Sequence, residues 1–215
     1  HAFDTETIIA PDYKHNSKLY TSFYNTLSSQ NKEVTYPEVG QEYEFGEGSF
    51  TVLGPTQIRD DSNNNSVVVR LDYGDTSFLF TGDAESKEEK DIIAANEDLD
   101  CDVLSVGHHG SASSTSWDFL EQVLPEYAVI SCGVNNSYGH PDPDTIEKLE
   151  SIEAQIFRTD LQGNIIAISD GETITWNNVP SNGEVLYAAD FVSVKEEPND
   201  TSSTVGELGP GNQIQ

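Results

Sequence analysis

Positive charge is scarce in this chain. Its 215 residues include 10 Lys and Arg against 38 Asp and Glu, which gives a formal net charge of -28. Because phosphate backbones are held by clustered Lys and Arg, this composition disfavours a passive groove for nucleic acid. Metal ions could still supply positive charge locally. The acidity itself is typical of a solvated surface and says little about a substrate.

Cysteines and long apolar segments are also scarce. Cys101 and Cys132 are the only cysteines, too few for a disulfide scaffold and without the C-x-x-C spacing of a zinc knuckle. Both lie in apolar strand patterns, so we expect buried free thiols. No run reaches the roughly 18 apolar residues that span a bilayer, and the first residues do not read as a signal peptide. We therefore expect no transmembrane segment in this chain.

The first third of the chain predicts a helix and two hairpins. Residues 5–11 read as a short strand, and "SKLYTSFYNTLSSQ" places apolar residues at helical spacing behind Ser17, a candidate N-cap. "EYEFGEGSFTVLGP" predicts a hairpin with a Gly-Glu-Gly turn, and Gly74-Asp75 predicts a two-residue hairpin turn. The strand that follows Asp75 is nearly continuously apolar, which predicts burial on both faces.

Strands and helices alternate further along the chain. We predict helices at 85–96, 116–123 and 143–151, strands at 101–107, 127–132 and 154–159, and a closing hairpin formed by "GNIIAIS" and "ETITWN". This alternation favours an α/β fold with a mixed sheet layered by helices, in a domain that spans residues 1–177. Residues 178–215 are acidic and contain Gly, Pro and Ser, which predicts a disordered tail or linker.

Polar side chains follow three successive predicted strands. Asp83 ends the first, His108 and His109 end the second, and Asn136 and His140 follow the third. In α/β folds the carboxyl ends of strands open into a common crevice. If these strands are neighbours in one sheet, the side chains converge there.

Each of these groups also has an ordinary structural interpretation. An Asp after Thr-Gly is often a helix cap or a turn residue, although a carboxylate can also bridge two cations. A lone His is usually structural, but His108 and His109 are adjacent and precede "GSASST", whose hydroxyls and amides could hold a phosphate. His140 lies in a tight turn between Gly139 and Pro141, which would fix its direction as a metal ligand requires. Taken together, the groups favour a metal-dependent site.

The sequence resembles a known family. "FLFTGDAE", "DVLSVGHHGSASS", "YAVISCGVNNSYGHPDPDTIEKL" and "QIFRTDLQGNIIAISDG" are similar to the second half of the metallo-β-lactamase fold. They resemble in particular the hydrolase domain of ComEC/Rec2-type competence proteins and their stand-alone secreted relatives. The likeness runs in order from about Thr5 to Asn177, and T-G-D, G-H-H-G-S and Y-G-H-P are its specific motifs.

This resemblance implies a four-layer αββα sandwich with two divalent metal ions, Zn or Mn, at its rim. Asp83 would be the carboxylate that bridges both ions, and His140 a terminal ligand on one of them. His108 and His109 would be the catalytic residues, one of them an additional ligand and the other stabilising the reacting phosphate or protonating the leaving group. Such ions generate hydroxide near neutral pH.

The implied activity is metal-dependent hydrolysis of phosphodiesters. The expected substrate is nucleic acid or a small phosphoester such as a cell-wall or lipid headgroup, with Ser111 and Asn136 as predicted substrate-binding residues. The alternative is a non-catalytic binding or scaffold module of the same fold. A true β-lactamase is not indicated, because nothing suggests a lactam pocket. The stand-alone relatives favour an extracellular or cell-surface location.

The sequence departs from the family in two respects. The histidine usually found before the T-G-D hairpin is missing, and that stretch reads "DDSNNNSVV" here. The defining H-x-H-x-D-H motif, or its H-x-x-x-D-H variant, is absent, and His1 and His15 do not have this spacing. Either the N-terminal half of the domain lies outside this chain, or the chain is a complete homologue that has lost catalysis. The retained Asp83 and histidines favour the first interpretation. Half a sandwich would expose an apolar sheet face, so we expect the N-terminal half or another partner to cover it.

Overall fold

The computed structural model describes residues 5–96 and 98–183, together with the backbone of four short strands further along the chain. The chain divides into two compact units, His1–Ser181 and Asn182–Gln215. In the described part of the first unit the helices are α1 (Lys18–Ser29), α2 (Ser86–Ala95), α3 (Trp117–Val123), α4 (Pro143–Ser151) and α5 (Thr159–Gln162). Its strands are β1 (Glu42–Phe45), β2 (Gly48–Gly54), β3 (Val68–Tyr73), β4 (Thr76–Phe80), β5 (Val103–Ser105), β6 (Tyr127–Ile130), β7 (Gln155–Arg158), β8 (Ala167–Ser169) and β9 (Ile174–Trp176).

A seven-stranded mixed sheet organises the first unit. Its strands follow chain order from β1 to β7. Neighbours pair antiparallel as far as β4, through the two predicted hairpins, and pair parallel from β4 to β7. Parallel neighbours need a crossover, and α2, α3 and α4 provide the three crossovers in turn. The predicted mixed α/β fold is therefore confirmed.

The helices begin where the sequence offers caps. Ser17 Oγ accepts the backbone N–H of Tyr20 at 3.1 Å, so Ser17 is the N-cap of α1 as predicted. Ser116 caps α3, and Asp142 caps α4 directly before Pro143, which occupies the first turn of that helix. Pro suits this location because its missing N–H would have no partner inside the helix. These caps fix the direction in which each crossover helix leaves its loop.

The core lies between the sheet and its crossover helices. One residue in two along each central strand points into it, for example Leu79, Leu104 and Ala128, all fully buried. The helices contribute their own apolar stripes, with Ile92, Phe119, Leu120, Val123 and Leu149 buried against these strands. The helices thus cover this face at the central strands, whereas the edge strand β1 is mostly exposed. This packing sets the register of the covered strands.

The opposite face of the sheet is covered only in part, by the β8–β9 hairpin. Trp176 stacks on Phe157 with ring centroids 4.2 Å apart, and Thr76 Oγ1 lies 2.6 Å from Ser169 Oγ. Between hairpin and sheet runs a groove of about 560 Å³. We call this the open face; its lining includes Phe45, Leu71, Phe78, Phe80, Val103, Val129, Ile165 and Trp176. The exposed apolar face expected of half a sandwich is present.

Two structural predictions were wrong. Residues 5–11 do not form a strand but a single bridge between Ile9 and Thr35, and Pro11 has no N–H with which to extend a ladder. β4 is not buried on both faces, because Leu79 faces the helices whereas Phe80, on the open face, remains 42% exposed. The apolar sequence of β4 makes this face suitable for burial, but the described residues cover it only in part.

The second unit contains two strand pairs among its described residues. Strand β10 (Leu186–Tyr187) pairs antiparallel with β13 (Gln213–Ile214). Strand β11 (Val192–Lys195) pairs antiparallel with β12 (Thr204–Leu208). The rest of the tail or linker predicted for 178–215 lies, from residue 184 on, outside the described residues.

Both cysteines are free, as predicted, but only Cys101 is buried, whereas Cys132 is half-buried. Burial raises the pKa of the Cys101 thiol to about 12, and burial together with Asp160 raises that of Cys132 to about 11, so both are protonated at neutral pH. Within the described ranges, no helix has the length and hydropathy needed to cross a bilayer.

The β3–β4 turn contacts the turn of the β8–β9 hairpin, and this contact can be tested by substitution. Gly74, in the β3–β4 turn, has φ +58°, and a Cβ there would lie 2.2 Å from the carbonyl oxygen of Gly171. We expect Gly74→Ala to destabilise the chain by about 3 kcal/mol, because it adds this clash to the cost of a left-handed backbone. Urea unfolding measures the loss.

Gly46 is a matched control, because it has a similar φ of +64° and nothing within 4 Å of its Cβ position. Gly46→Ala should cost only the left-handed conformation, about 1 kcal/mol. Equal losses for the two variants would contradict a close approach between the turns.

Candidate functional site

The ends of three parallel strands bring the predicted site residues together. β4, β5 and β6 are consecutive neighbours in the sheet, and their carboxyl ends lead to Asp83, to His108 and His109, and to the loop of His140. The predicted convergence on one edge of the sheet is therefore present. We use "the rim" for five residues at this edge: Asp83, Glu85, His108, His109 and His140.

The backbone that presents the two adjacent histidines is left-handed. His108 has φ +49°, His109 +58° and Gly110 +81°. Such a conformation costs a non-glycine residue about 1–2 kcal/mol, so the surroundings must hold it in place. The His108 N–H donates to the Gly82 carbonyl at 2.9 Å, and the Gly110 carbonyl accepts the Asp142 N–H at 2.8 Å. Both histidine side chains can therefore reach the same edge.

His109 lies between a backbone carbonyl and a carboxylate. Its Nδ1 is 2.7 Å from the Ser131 carbonyl oxygen, and its Nε2 is 3.7 Å from Asp83 Oδ1. A carbonyl can only accept, so Nδ1 carries a proton, and in the neutral imidazole the lone pair of Nε2 lies on the side of Asp83. This is the arrangement by which proteins orient histidine ligands of metals.

His140 joins the rim through His108. The His108 and His140 rings lie 5.8 Å apart, centroid to centroid, and Tyr138 stacks on His140 at 5.8 Å with an interplanar angle of 13°. Asn136 shapes this turn: its amide donates to the Gly133 and His140 carbonyls, and its own carbonyl accepts the N–H groups of Tyr138 and His140. The side chain of Asn136 thus holds the loop, and its substrate-binding role stays a prediction.

Ser111 is buried below the rim. Its hydroxyl contacts Ser113 Oγ at 3.0 Å, and Ser113 in turn donates to Glu85 Oε1 at 3.1 Å. A substrate role for Ser111 likewise stays a prediction, and Ser113 is the hydroxyl nearer the rim. Beside the histidines a pocket of about 310 Å³ is lined by His109, Ser131, Cys132, Gly133, Asn136, Tyr138 and His140.

Glu85 is a rim residue that the sequence analysis missed. It is the N-cap residue of α2, so Asp83 is not the helix cap. The Glu85 side chain makes no capping hydrogen bond and instead lies 3.5 Å from His108 Nδ1 through Oε1. In the sequence, Glu85 is only the first residue of the helix predicted at 85–96. An acid at a helix start gives no sign that its side chain leaves the helix.

A polar turn, residues 63–66, supports the Asp83 loop from behind. The Asp83 N–H donates to Ser66 Oγ at 3.1 Å, and the Ser66 N–H donates to Glu88 Oε2 at 3.2 Å. Asn64 is almost fully buried, and its Oδ1 accepts the Glu88 N–H at 3.0 Å. "SNNNS" reads as an exposed loop in the sequence, yet these side chains replace backbone partners that the loop and α2 would otherwise lack.

The rim can be tested against the expected pair of metal ions. An ion bound at 2.0–2.2 Å by two ligands holds them at most about 4.2 Å apart, so Asp83 and His109 at 3.7 Å could share one. Two ions need more than two ligands. Over the residues that the structure describes, no group of three His, Cys, Asp or Glu side chains is arranged to hold an ion. The rim by itself does not fit the two-ion site.

Residues 5–134 match the family model described as the metallo-beta-lactamase superfamily. The match covers more than half of the chain, and the mixed α/β architecture agrees with this fold. The chain therefore belongs to the metallo-β-lactamase superfamily.

Several relatives place the chain near ComEC/Rec2-type proteins, as the motifs predict. ComE operon protein 3 of Bacillus subtilis is 38% identical over 117 residues, which are 54% of this chain and 15% of that protein. Competence protein ComA of Neisseria gonorrhoeae is 36% identical over 125 residues, 57% and 18% of the two chains. Recombination protein 2 of Haemophilus influenzae is 37% identical over 133 residues, 61% and 16%. The aligned part is less than a fifth of each relative.

Glu88, behind the rim, is a buried carboxyl group. Burial raises its pKa to about 8, although the Ser66 N–H and the Arg59 charge act in the opposite direction. Its Oε1 has no hydrogen-bond partner among the described residues and lies close to Gly54. Because the carboxyl is easier to ionise in the unfolded chain, the contribution of Glu88 to folding stability falls as pH rises from about 4.5 to about 8.

We expect Glu88→Gln to remove this loss. The Gln carbonyl can still accept the Ser66 N–H, and no charge needs to be buried. The variant should match the wild type near pH 5 and exceed it at pH 8 by at least about 1 kcal/mol, since the slope reaches about 1.4 kcal/mol per pH unit. Urea unfolding at several pH values provides the measurement.

The neighbouring Glu89 is the control. It is equally buried and burial raises its pKa as well, but its carboxyl group, unlike that of Glu88, has both oxygens paired, with the backbone N–H groups of Thr115 and Ser116 at the start of α3. In Glu89→Gln the side-chain NH2 faces one of these two N–H donors, so one hydrogen bond is lost. The variant should lose about 1–3 kcal/mol of folding stability. If the Glu88→Gln variant loses stability with pH as steeply as the wild type, Glu88 does not carry the buried proton.

Proposed function

We propose that this chain carries one edge of the active site of a metal-dependent hydrolase that cleaves phosphodiesters. The observation that carries the proposal is the meeting of Asp83 and three histidines at the ends of β4, β5 and β6, with Asp83 3.7 Å from His109. In this proposal Asp83, His109 and His140 are ligands of divalent ions, Zn or Mn. His108 faces the reacting phosphate.

The remaining ligands come, in this proposal, from a further polypeptide segment that covers the open face. The groove there is apolar, and its lining residues Phe80, Ser105 and Val129 stand directly before the loops of the rim. A segment packed into the groove would therefore end beside Asp83 and the histidines. Apolar burial would hold this cover in place, since the groove offers few charged partners.

Two observations bear on the substrate class, and they favour different substrates. Recombination is a reaction of DNA, so the name of the Haemophilus influenzae relative supports a nucleic acid substrate. The net charge of -28 opposes a long polyanion and favours a small phosphoester. None of the five rim residues is a Lys or Arg, so either substrate would need bound cations.

A non-catalytic module is the second candidate. It is favoured by the ligand set, because within the described residues no three candidate ligands surround one point. In such a module the open face would bind a partner and the rim would have no chemical task. Substitutions at the rim would then leave its function unchanged.

Removal of the rim ligands separates the two candidates. In the protein expressed from its complete gene, we expect Mn²⁺ or Zn²⁺ to support hydrolysis of bis-p-nitrophenyl phosphate or single-stranded DNA. Asp83→Ala and His140→Ala should each lower the rate by about 100-fold or more, because both are proposed to hold the ions. Circular dichroism should report an unchanged fold.

Asp75→Ala is the control, because Asp75 is an exposed acid in the β3–β4 turn, at the other end of β4. It should keep the wild-type rate. Absence of metal-dependent turnover on both substrates would end the phosphodiesterase proposal, and full activity of the two rim variants would support the scaffold.

The open face can be tested on this chain without any substrate. We expect the chain to bind the apolar dye 8-anilinonaphthalene-1-sulfonate in the groove, and Phe80→Glu to weaken that binding, because it replaces an apolar ring by a negative charge that repels the sulfonate. Ile168→Glu is the matched control: Ile168 is 63% exposed but is not part of the groove lining, unlike its neighbours Ala167 and Ser169. Equal dye binding by both variants would contradict an apolar docking groove.

A further inference from the structure

The side chain of Glu85, at the start of α2, does not cap its own helix. A carboxylate at an N-cap usually accepts N–H groups of the first turn, but this one makes no such bond. Instead Oε1 accepts from Asn63 Nδ2 at 3.2 Å and from Ser113 Oγ at 3.1 Å, and Oε2 accepts from Asn64 Nδ2 at 3.3 Å. Three donors from two other loops therefore fix the carboxylate in one direction.

That direction is toward His108. Glu85 Oε1 lies 3.5 Å from His108 Nδ1, and Ser113 Oγ lies 3.4 Å from the same nitrogen. Because Ser113 gives its proton to Glu85, its oxygen is left to accept. Both neighbours of His108 Nδ1 are thus acceptors, and a neutral imidazole that donates from Nδ1 has a bare Nε2.

His109 reaches the same tautomer by another route. Its Nδ1 faces the Ser131 backbone carbonyl at 2.7 Å, which no side-chain substitution removes. The two histidines therefore differ in what orients them: a carboxylate for His108 and a peptide group for His109. This difference makes His109 an internal reference for His108.

We propose that Glu85 is the positioning residue of His108: it holds the imidazole in its Nδ1–H tautomer, so that Nε2 is presented to the rim beside His140. The 63–66 turn and Ser113 act through Glu85, since they contact its carboxylate. The use of this Nε2 in hydrolysis rests on the proposed function, whereas the tautomer and its dependence on Glu85 do not.

The test is long-range ¹H–¹⁵N NMR of the histidine rings in this chain, without added metal. The chain has five histidines, so single substitutions assign each spectrum. At about pH 9, where histidine side chains in general are neutral, the two tautomers give distinct nitrogen shifts. In the wild type we expect both His108 and His109 as the Nδ1–H tautomer.

Two substitutions at Glu85 then separate positioning from general structural support. Glu85→Ala should turn His108 to the Nε2–H tautomer that imidazole prefers in water, and His109 should not change. Glu85→Gln keeps a side-chain oxygen that can face Nδ1, so it should restore the Nδ1–H form. A loss of folding would disturb both histidines together.

The result that overturns the proposal is an Nε2–H tautomer of His108 in the wild type, or an unchanged tautomer in a folded Glu85→Ala variant. If Glu85→Ala does not fold, the wild-type and Glu85→Gln spectra still decide. Failure of the proposed hydrolase activity would leave these spectra as they are, so the two proposals fail separately.

Discussion

The parallel pairing of β4, β5 and β6 in chain order is the constraint on which the rim depends. Leu79, Leu104 and Ala128 are direct neighbours across these strands and all face the crossover helices. A shift of one residue in any of the three would turn its buried side chain to the open face. The core therefore fixes the register, and the register fixes where Asp83 and the histidines of the next two loops begin.

The sequence predicts the elements of this architecture because each depends on neighbours along the chain. Alternating apolar residues, the Gly74-Asp75 turn and the cap at Ser17 act within a few residues of their own location. The strand predicted at residues 5–11 fails because strand formation needs a partner, which local pattern does not reveal. The predicted burial of β4 on both faces is wrong for a related reason. An apolar sequence indicates a surface suited to burial, but it does not show which layer of the protein covers that surface.

The residues of the rim divide in the same way. Asp83 and the histidines could be predicted because metal-binding side chains stand out at strand ends in a chain with few histidines. Glu85 and the 63–66 turn could not, since their roles consist of hydrogen bonds between loops about twenty residues apart. Asn64 looks like a loop residue in the sequence, yet it is buried and bonds to both Glu85 and Glu88. Supporting residues are recognised only when their partners are known.

The rim contains features that destabilise the folded chain, and these features bear on its function. His108 and His109 occupy left-handed backbone at about 1–2 kcal/mol each, and Glu88 behind them is a carboxyl that burial keeps neutral. A scaffold module gains nothing from holding two imidazoles under strain. A hydrolase gains fixed directions for its ligands, provided that cations neutralise Asp83 and Glu85 before a phosphate approaches. The apolar groove leads to the same strand ends. In the proposed hydrolase, the segment that buries the open face would therefore also complete the ligand set, and the strained backbone of the rim would already hold its histidines in place for it.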